Sequence, residues 1–305
     1  MREMVCLGAP IWCAQHVTRR LLLLTSGPSL TQTHEKAASM LTTLEKLTTD
    51  FQRDEDATIY TLTEDWLQGR AAFGGLVAAL GLMAARHLAA PDRRLRALQT
   101  TFVRPSGPGP LRFEPSMERD GRNLTQIRAI GFQNDERVAT TRAIFGLPLD
   151  DVDRVPPPSP PEGTPGPDTI EPAPYIDGLM PKFLQHFEFR WVRGAIPYSG
   201  SSETDSLTWL KARDGQIGIE ELSVLFSDAI PSPAIGVMPG LAKSSTVAWS
   251  VSLFEPPEPV DESGWWLIHT RLTSLRDGFG HHVTTLWTPE GQAAAVSEQT
   301  LAVYP

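Results

Sequence analysis

Phe73-Gly74-Gly75-Leu76-Val77-Ala78-Ala79-Leu80-Gly81-Leu82-Met83-Ala84-Ala85 runs from end to end without a charged or polar side chain. A helix of this composition has no face for water, so it is expected to be buried all round. Its many Gly and Ala residues let a sheet backbone approach closely. The run ends at Arg86, far short of the roughly 20 residues that span a bilayer, so it predicts a core helix and no membrane anchor. Beyond Arg86 the pattern becomes strand-like. An apolar strand ends at Phe102-Val103-Arg104-Pro105, Arg119-Asp120-Gly121 marks a turn, Asn134-Asp135 marks another, and a strand closes at Ile144-Phe145-Gly146.

The same order recurs further along. Ile217 to Ile230 reads as a second helix, with Leu222, Leu225, Phe226 and Ala229 on one face and Glu220 and Glu221 turned away. After it Phe254-Glu255-Pro256 ends a strand, Arg276-Asp277-Gly278 turns, Glu290-Gly291 turns, and a last strand runs from Ala295 to Tyr304. Gly121 to Asn134 and Gly278 to Gly291 are both thirteen residues apart. Shared order and spacing point to a duplication, and a helix followed by tightly turned strands, twice, predicts an α+β fold of two repeats. Between the repeats, Pro148 to Pro174 holds ten of the chain's 27 prolines. Proline gives no backbone donor to a ladder, so this segment reads as a stiff, extended linker. The expected organisation is a leader over 1–39, an N-terminal repeat over 40–147, the linker over 148–174 and a C-terminal repeat over 175–305.

With 305 residues, 41% of them apolar, the chain has ample core material. A formal charge of −9 argues against nucleic acid as a partner. Both cysteines, Cys6 and Cys13, lie in the leader, which leaves the remainder without disulfides or thiolate clusters and fits a reducing, cytoplasmic setting. The leader carries Arg2, Arg19 and Arg20 ahead of Leu21-Leu22-Leu23-Leu24, too short an apolar run for a secretory signal. It reads as a weak transit-type segment or as an over-extended start ahead of Met40. His281-His282 is a tempting pair, but strand neighbours point to opposite faces and no third ligand is near, so no metal and no cofactor is expected. Ser199 to Ser202 lacks the G-x-S-x-G elbow of a serine hydrolase.

Gly69-Arg70-Ala71-Ala72-Phe73-Gly74-Gly75, Phe102-Val103-Arg104-Pro105, Arg119-Asp120-Gly121-Arg122-Asn123 and Ala129-Ile130-Gly131-Phe132-Gln133-Asn134 together resemble the first half of the acyl-CoA thioesterase II family. The resemblance covers roughly residues 56–146 and 178–304. It implies a double hotdog, two fused helix-in-sheet units, that hydrolyses fatty acyl-CoA with a water held by Asp, Thr and Gln. On this resemblance the trio is Asp228, Thr246, ten residues ahead of Pro256, and Gln299. The chain departs from the family at Leu98-Gln99-Thr100-Thr101 and Val247-Ala248-Trp249, where histidines and an Asp-His pair are frequent.

The residues also have plainer readings. Asp228 sits at the edge of the Leu225/Ala229 face, where desolvation would raise its basicity, but it is also an ordinary polar residue before Ile230-Pro231. Gln299 shares a strand face with Ala295, Ser297, Leu301 and Val303, so its amide needs a partner, either catalytic water or a carbonyl. Strict alternation places Thr246 with Ala248, Ser250 and Ser252, opposite Val247, Trp249, Val251 and Leu253. Gly74 and Gly75 open a helix whose free N–H groups could receive an oxyanion or carbonyl oxygen, while close helix packing asks for the same glycines. First-half counterparts are Leu82 or Met83 for Asp228 and, counting by the spacing of the two Arg-Asp-Gly turns, Arg142 for Gln299, so one trio per chain is expected. The resemblance implies an acyl-CoA as the partner, and homo-oligomerisation through the sheets is expected. A non-catalytic acyl-CoA or lipid binder and a hydratase or dehydratase are the alternatives; the latter pairs an acid with a His, and none lies near Asp228 in sequence.

Overall fold

The computed structural model describes residues 41–149, 152, 155–215, 217–254 and 260–304; the leader and the Glu255-Pro256 strand end lie outside them. A short helix α1 (Leu44–Thr49) precedes the strands β1 (Phe51–Arg53), β2 (Thr58–Leu62), β3 (Leu67–Gln68) and β4 (Ala71–Ala72). The apolar run then forms α2 (Gly74–Arg86), followed by β5 (Arg94–Phe102), β6 (Gly109–Asp120), β7 (Leu124–Gln133) and β8 (Glu136–Gly146). Past the proline-rich segment come β9 (Phe187–Gly194), β10 (Asp205–Ala212), α3 (Ile219–Ser227), the single-turn α4 (Pro233–Gly236), β11 (Lys243–Leu253), β12 (Trp266–Arg276), β13 (Phe279–Trp287) and β14 (Ala293–Tyr304). No helix among the described residues is long and apolar enough to cross a membrane.

Twelve strands form one antiparallel sheet in the order β1-β2-β6-β7-β8-β5-β11-β14-β13-β12-β10-β9. Outward from the central β5–β11 pair, one half runs β8, β7, β6, β2, β1 and the other β14, β13, β12, β10, β9. Within the large sheet each half therefore has two strands ahead of its helix, β1 and β2 or β9 and β10, that the sequence reading missed. In the first half they are short: β1 is exposed throughout, and β2, although alternately buried, reads Thr-Ile-Tyr-Thr-Leu without an apolar–polar alternation. The duplication extends to the irregularities. Register slips fall at Arg96, Glu118 and Val138 in the first half, and at Val247, Thr273 and Ala294, the matching places of the second.

The helices lie inside this wrapping. From Gly75 to Ala85 every residue of α2 except Met83 is buried, because a helix without polar side chains gains nothing from water on any side. The two helices are antiparallel neighbours: Gly75 lies against the Leu225 carbonyl, and Arg86 at the far end of α2 pairs with Glu220 at the start of α3.

Two details of the sequence-based picture change. The Arg-Asp-Gly tripeptides sit between equivalent strands but turn differently. Asp277 and Gly278 both take positive φ, 53° and 78°, as a two-residue hairpin turn demands, whereas Gly121 does not and the first connection is longer. Counting between the tripeptides is therefore misleading. Gln299 is faced by Trp249 and His282 as Ala143 is faced by Leu98 and Ile127, so its counterpart is Ala143. Arg142 is exposed and pairs with Glu118. The proline-rich segment, for its part, is held to the second half: Trp287 and Trp209 donate their indole N–H groups to the Pro158 and Pro165 carbonyls at 2.8 and 2.9 Å.

Candidate active site

Asp228 is the C-cap of α3. The helix ends there because Pro231 follows closely and disfavours helical backbone in the residue before it. The carboxylate meets the first turn of α2, whose N–H groups have no acceptors within their own helix. The backbone N–H of Gly75 favours its charged form, and Oδ2 packs on Gly74, where an added Cβ would stand 2.7 Å away. At Gly75 a Cβ would meet the Phe73 ring at 2.5 Å and the Leu225 carbonyl at 2.7 Å. Only a residue without a side chain allows the end of one helix to approach the carboxylate at the end of the other.

Gln299 is buried on the inner face of β14. Its Nε2 donates to Asp228 Oδ1 at 2.8 Å, and its Oε1 accepts from the Thr246 hydroxyl at 3.2 Å. The three residues named from the resemblance, far apart in sequence, thus form one hydrogen-bonded chain. Thr246 reaches it through a bulge. Thr246 faces Leu301 and Trp249 faces Gln299, with Val247 unpaired between, so Thr246 and Trp249 share the inner face. Strict alternation puts them on opposite faces; one extra residue in the strand reverses that assignment.

Burial pushes the Asp228 carboxyl up to about 6, against the pull of the bonds from Gln299 and the Gly75 N–H. A carboxylate near that value is a competent base around neutral pH. Of the proposed oxyanion donors, Gly75 is thus engaged by Asp228, and Gly74 lies beside the carboxylate in the first turn of α2.

Two further residues, His282 and Ser232, belong to this cluster, and sequence alone does not single them out for it. His282 faces Gln299 across β13 and β14 and is buried, and the Gln299 side chain opposes the fall in its pKa. Its Nδ1 lies 2.8 Å from the hydroxyl of Ser232. The chain therefore does bring a histidine near Asp228, through the fold and not the sequence, and Gln299 stands between the two. Alternation within His281-His282 implies that one ring points inward; which strand it would meet is the information that the pair itself lacks. Among the described residues no group of acidic, His or Cys side chains is placed to hold a metal ion.

The architecture is that of the hotdog proteins. A protein of unknown function with this fold from Alicyclobacillus acidocaldarius superposes with a TM-score of 0.74 at 19% identity, covering 87% of this chain and 99% of that one. The tesB protein of Mycobacterium avium subspecies paratuberculosis gives 0.69 at 20%, covering 85% and 97%. The acyl-CoA thioesterase II TesB2 of Mycobacterium marinum gives 0.66 at 16%, covering 84% and 96%. No curated protein matches the chain. Residues 62–146 match the family model of the acyl-CoA thioesterase N-terminal domain and residues 154–303 that of the acyl-CoA thioesterase C-terminal domain. The chain belongs to the acyl-CoA thioesterase family, and its fold is a double hotdog.

Proposed function

We propose that this protein hydrolyses acyl-CoA thioesters to the free acid and CoA. The observation that carries the reading is the continuous chain from Thr246 through Gln299 to Asp228 beside the first turn of α2. Thr246 and Gln299 orient a water, Asp228 removes its proton, and the water oxygen bonds to the thioester carbonyl carbon. The carbonyl electron pair moves to oxygen, where the Gly74 N–H at the positive end of α2 stabilises it. The Gly75 N–H keeps Asp228 aimed. Collapse of the intermediate breaks the carbon–sulfur bond, and the proton held by Asp228 passes to the departing thiolate.

Release of free thiol from a panel running from acetyl-CoA to palmitoyl-CoA tests this directly. Turnover is expected, with Asp228→Asn lowering kcat by about 1,000-fold or more while the far-UV spectrum is kept. No turnover anywhere on the panel, combined with saturable acyl-CoA binding, would establish the non-catalytic binder instead. An unchanged kcat in Asp228→Asn would remove the assigned base.

A further inference from the structure

We propose that His282 is a positioning residue, a neutral imidazole locked in its Nε2–H form by Ser232 and holding the Gln299 amide so that its nitrogen faces Asp228. The inference rests on the hydrolytic role given above to Gln299 and Asp228, and it follows from what each atom can donate or accept. An ionised carboxylate only accepts, so the atom of Gln299 beside Asp228 Oδ1 is Nε2, and Oε1 is the atom that accepts from Thr246 and is left for His282, the strand partner of Gln299. A carbonyl oxygen only accepts, so His282 offers it an N–H. The other ring nitrogen, Nδ1, is then an acceptor and takes the Ser232 hydroxyl proton at 2.8 Å. Ser232 is free to give it, because its oxygen is already fixed as an acceptor of the Ala234 N–H at 3.2 Å, the cap of α4. Every member has one consistent assignment.

The surroundings keep the ring neutral. His282 is 4% exposed, and burial together with the neighbouring His281 pushes it down to about 4, against the bond to Gln299. His281 points to the other face, where Thr273 holds it. The strand neighbour on the side away from Gln299 is Leu272, which carries no charge. An imidazolium at this place would have two donors, and the Ser232 oxygen would need to reverse. A neutral ring instead supplies one donor and one acceptor, which the network requires. Without the His282 donor, Thr246 alone orients Oε1, and the amide can rotate away from Asp228.

The experiment compares His282→Leu, which removes both ring functions, with His282→Gln, whose amide N–H can reach the position of Nε2. His282→Leu is expected to lower kcat about tenfold with KM changed by no more than about threefold, the scale of one buried hydrogen bond. The acidic limb of its pH profile is expected to move up, since the Gln299 bond holds the Asp228 carboxyl down. His282→Gln is expected to restore most of kcat and the wild-type limb. Equal kcat loss in both variants with an unmoved limb, or wild-type kcat in His282→Leu, would overturn the proposal. Nitrogen-15 spectra of the wild-type imidazole and of the Gln299 side-chain amide do not depend on turnover. A neutral Nε2–H ring down to about pH 5, with the amide signal displaced in His282→Leu and returned in His282→Gln, is the supporting result. An Nδ1–H ring, or an amide signal indifferent to residue 282, overturns the proposal. If wild type fails to turn over any acyl-CoA but the spectra hold, the hydrolytic reading falls and the positioning of Gln299 stands.

Discussion

The two halves present the same junction of three strands with opposite chemistry. In the second, Gln299 is flanked by Trp249 and His282, with Thr246 next along β11 past the bulge. In the first, Ala143 is flanked by Leu98 and Ile127, with Leu95 past the matching bulge. Leu95, Leu98, Ile127 and Ala143 are all at most 1% exposed and belong to the core. The bulge at Val247, which turns Thr246 inward, has an equal at Arg96, which turns Leu95 inward. The backbone device is thus a property of the fold, and residue identity alone decides whether it serves packing or chemistry. Since the first helix supplies Gly74 and Gly75 to the acid of the second, one half keeps the scaffold and lends its helix end to the other.

Making the second junction like the first is the strongest way to break this contrast. Gln299→Ala installs the residue found at position 143, removing the donor to Asp228 and the acceptor for Thr246. We expect kcat to fall by about 100-fold, the range seen when one oriented donor is lost, measured as thiol release. A loss of less than about threefold would mean that the polar junction is packing and not chemistry.

The reverse change tests the other side. Ala143→Gln places an amide between Leu98 and Ile127, with Leu95 and Ile127 in the places of Thr246 and His282, while the nearby buried hydroxyls of Thr100 and Thr141 already bond to each other. A buried amide without partners costs about 1–3 kcal/mol, and the added volume costs a similar amount. We expect urea unfolding to report a loss of about 3 kcal/mol, with kcat per folded molecule unchanged. If the first half absorbs the glutamine without loss, its core is less closely packed than its burial indicates.

How much of this is legible in the sequence depends on what kind of information each residue carries. The apolar run of α2 announces its burial because composition alone forbids any other place for it. The repeat is legible in the order of strand ends and turns, and Asp228, Thr246 and Gln299 are named from a family pattern. The face of Thr246 is misread because a bulge leaves no mark in an alternating sequence. The counterpart of Gln299 is misplaced by one residue, because one tripeptide makes two different turns. His282 stays unassigned because its role comes from register with Gln299 and from Ser232 at the start of α4, neither of which is local to the His-His pair. Ahead of the first helix, β1 is missed because exposure on the sheet edge erases the period of two, and β2 because Thr-Ile-Tyr-Thr-Leu has no apolar–polar alternation to read.

The weakest expected effect separates stability from activity at Asp228. Its folded pKa, about 6, lies above the ordinary 3.8, because burial disfavours the charged form. Folding therefore favours the protonated acid. The contribution is complete below about pH 4 and is lost as pH rises through about 6, so above that point the ionised Asp228 is a burden on the native state of up to about 3 kcal/mol. Activity has the opposite dependence, since kcat/KM requires the carboxylate and should rise through about pH 6. Asp228→Asn removes the burden but accepts fewer of the bonds offered by Gln299 and Gly75, so the net gain should be about 1 kcal/mol, a rise in Tm of a few degrees at pH 8 that disappears at about pH 4. Leu95, Leu98, Ile127 and Ala143, the matching junction of the first half, cannot behave this way, because none of them carries a charge. A Tm gain in Asp228→Asn that is the same at about pH 4 and about pH 8 would show that the carboxylate is not strained in the fold, and would weaken its claim to be the base.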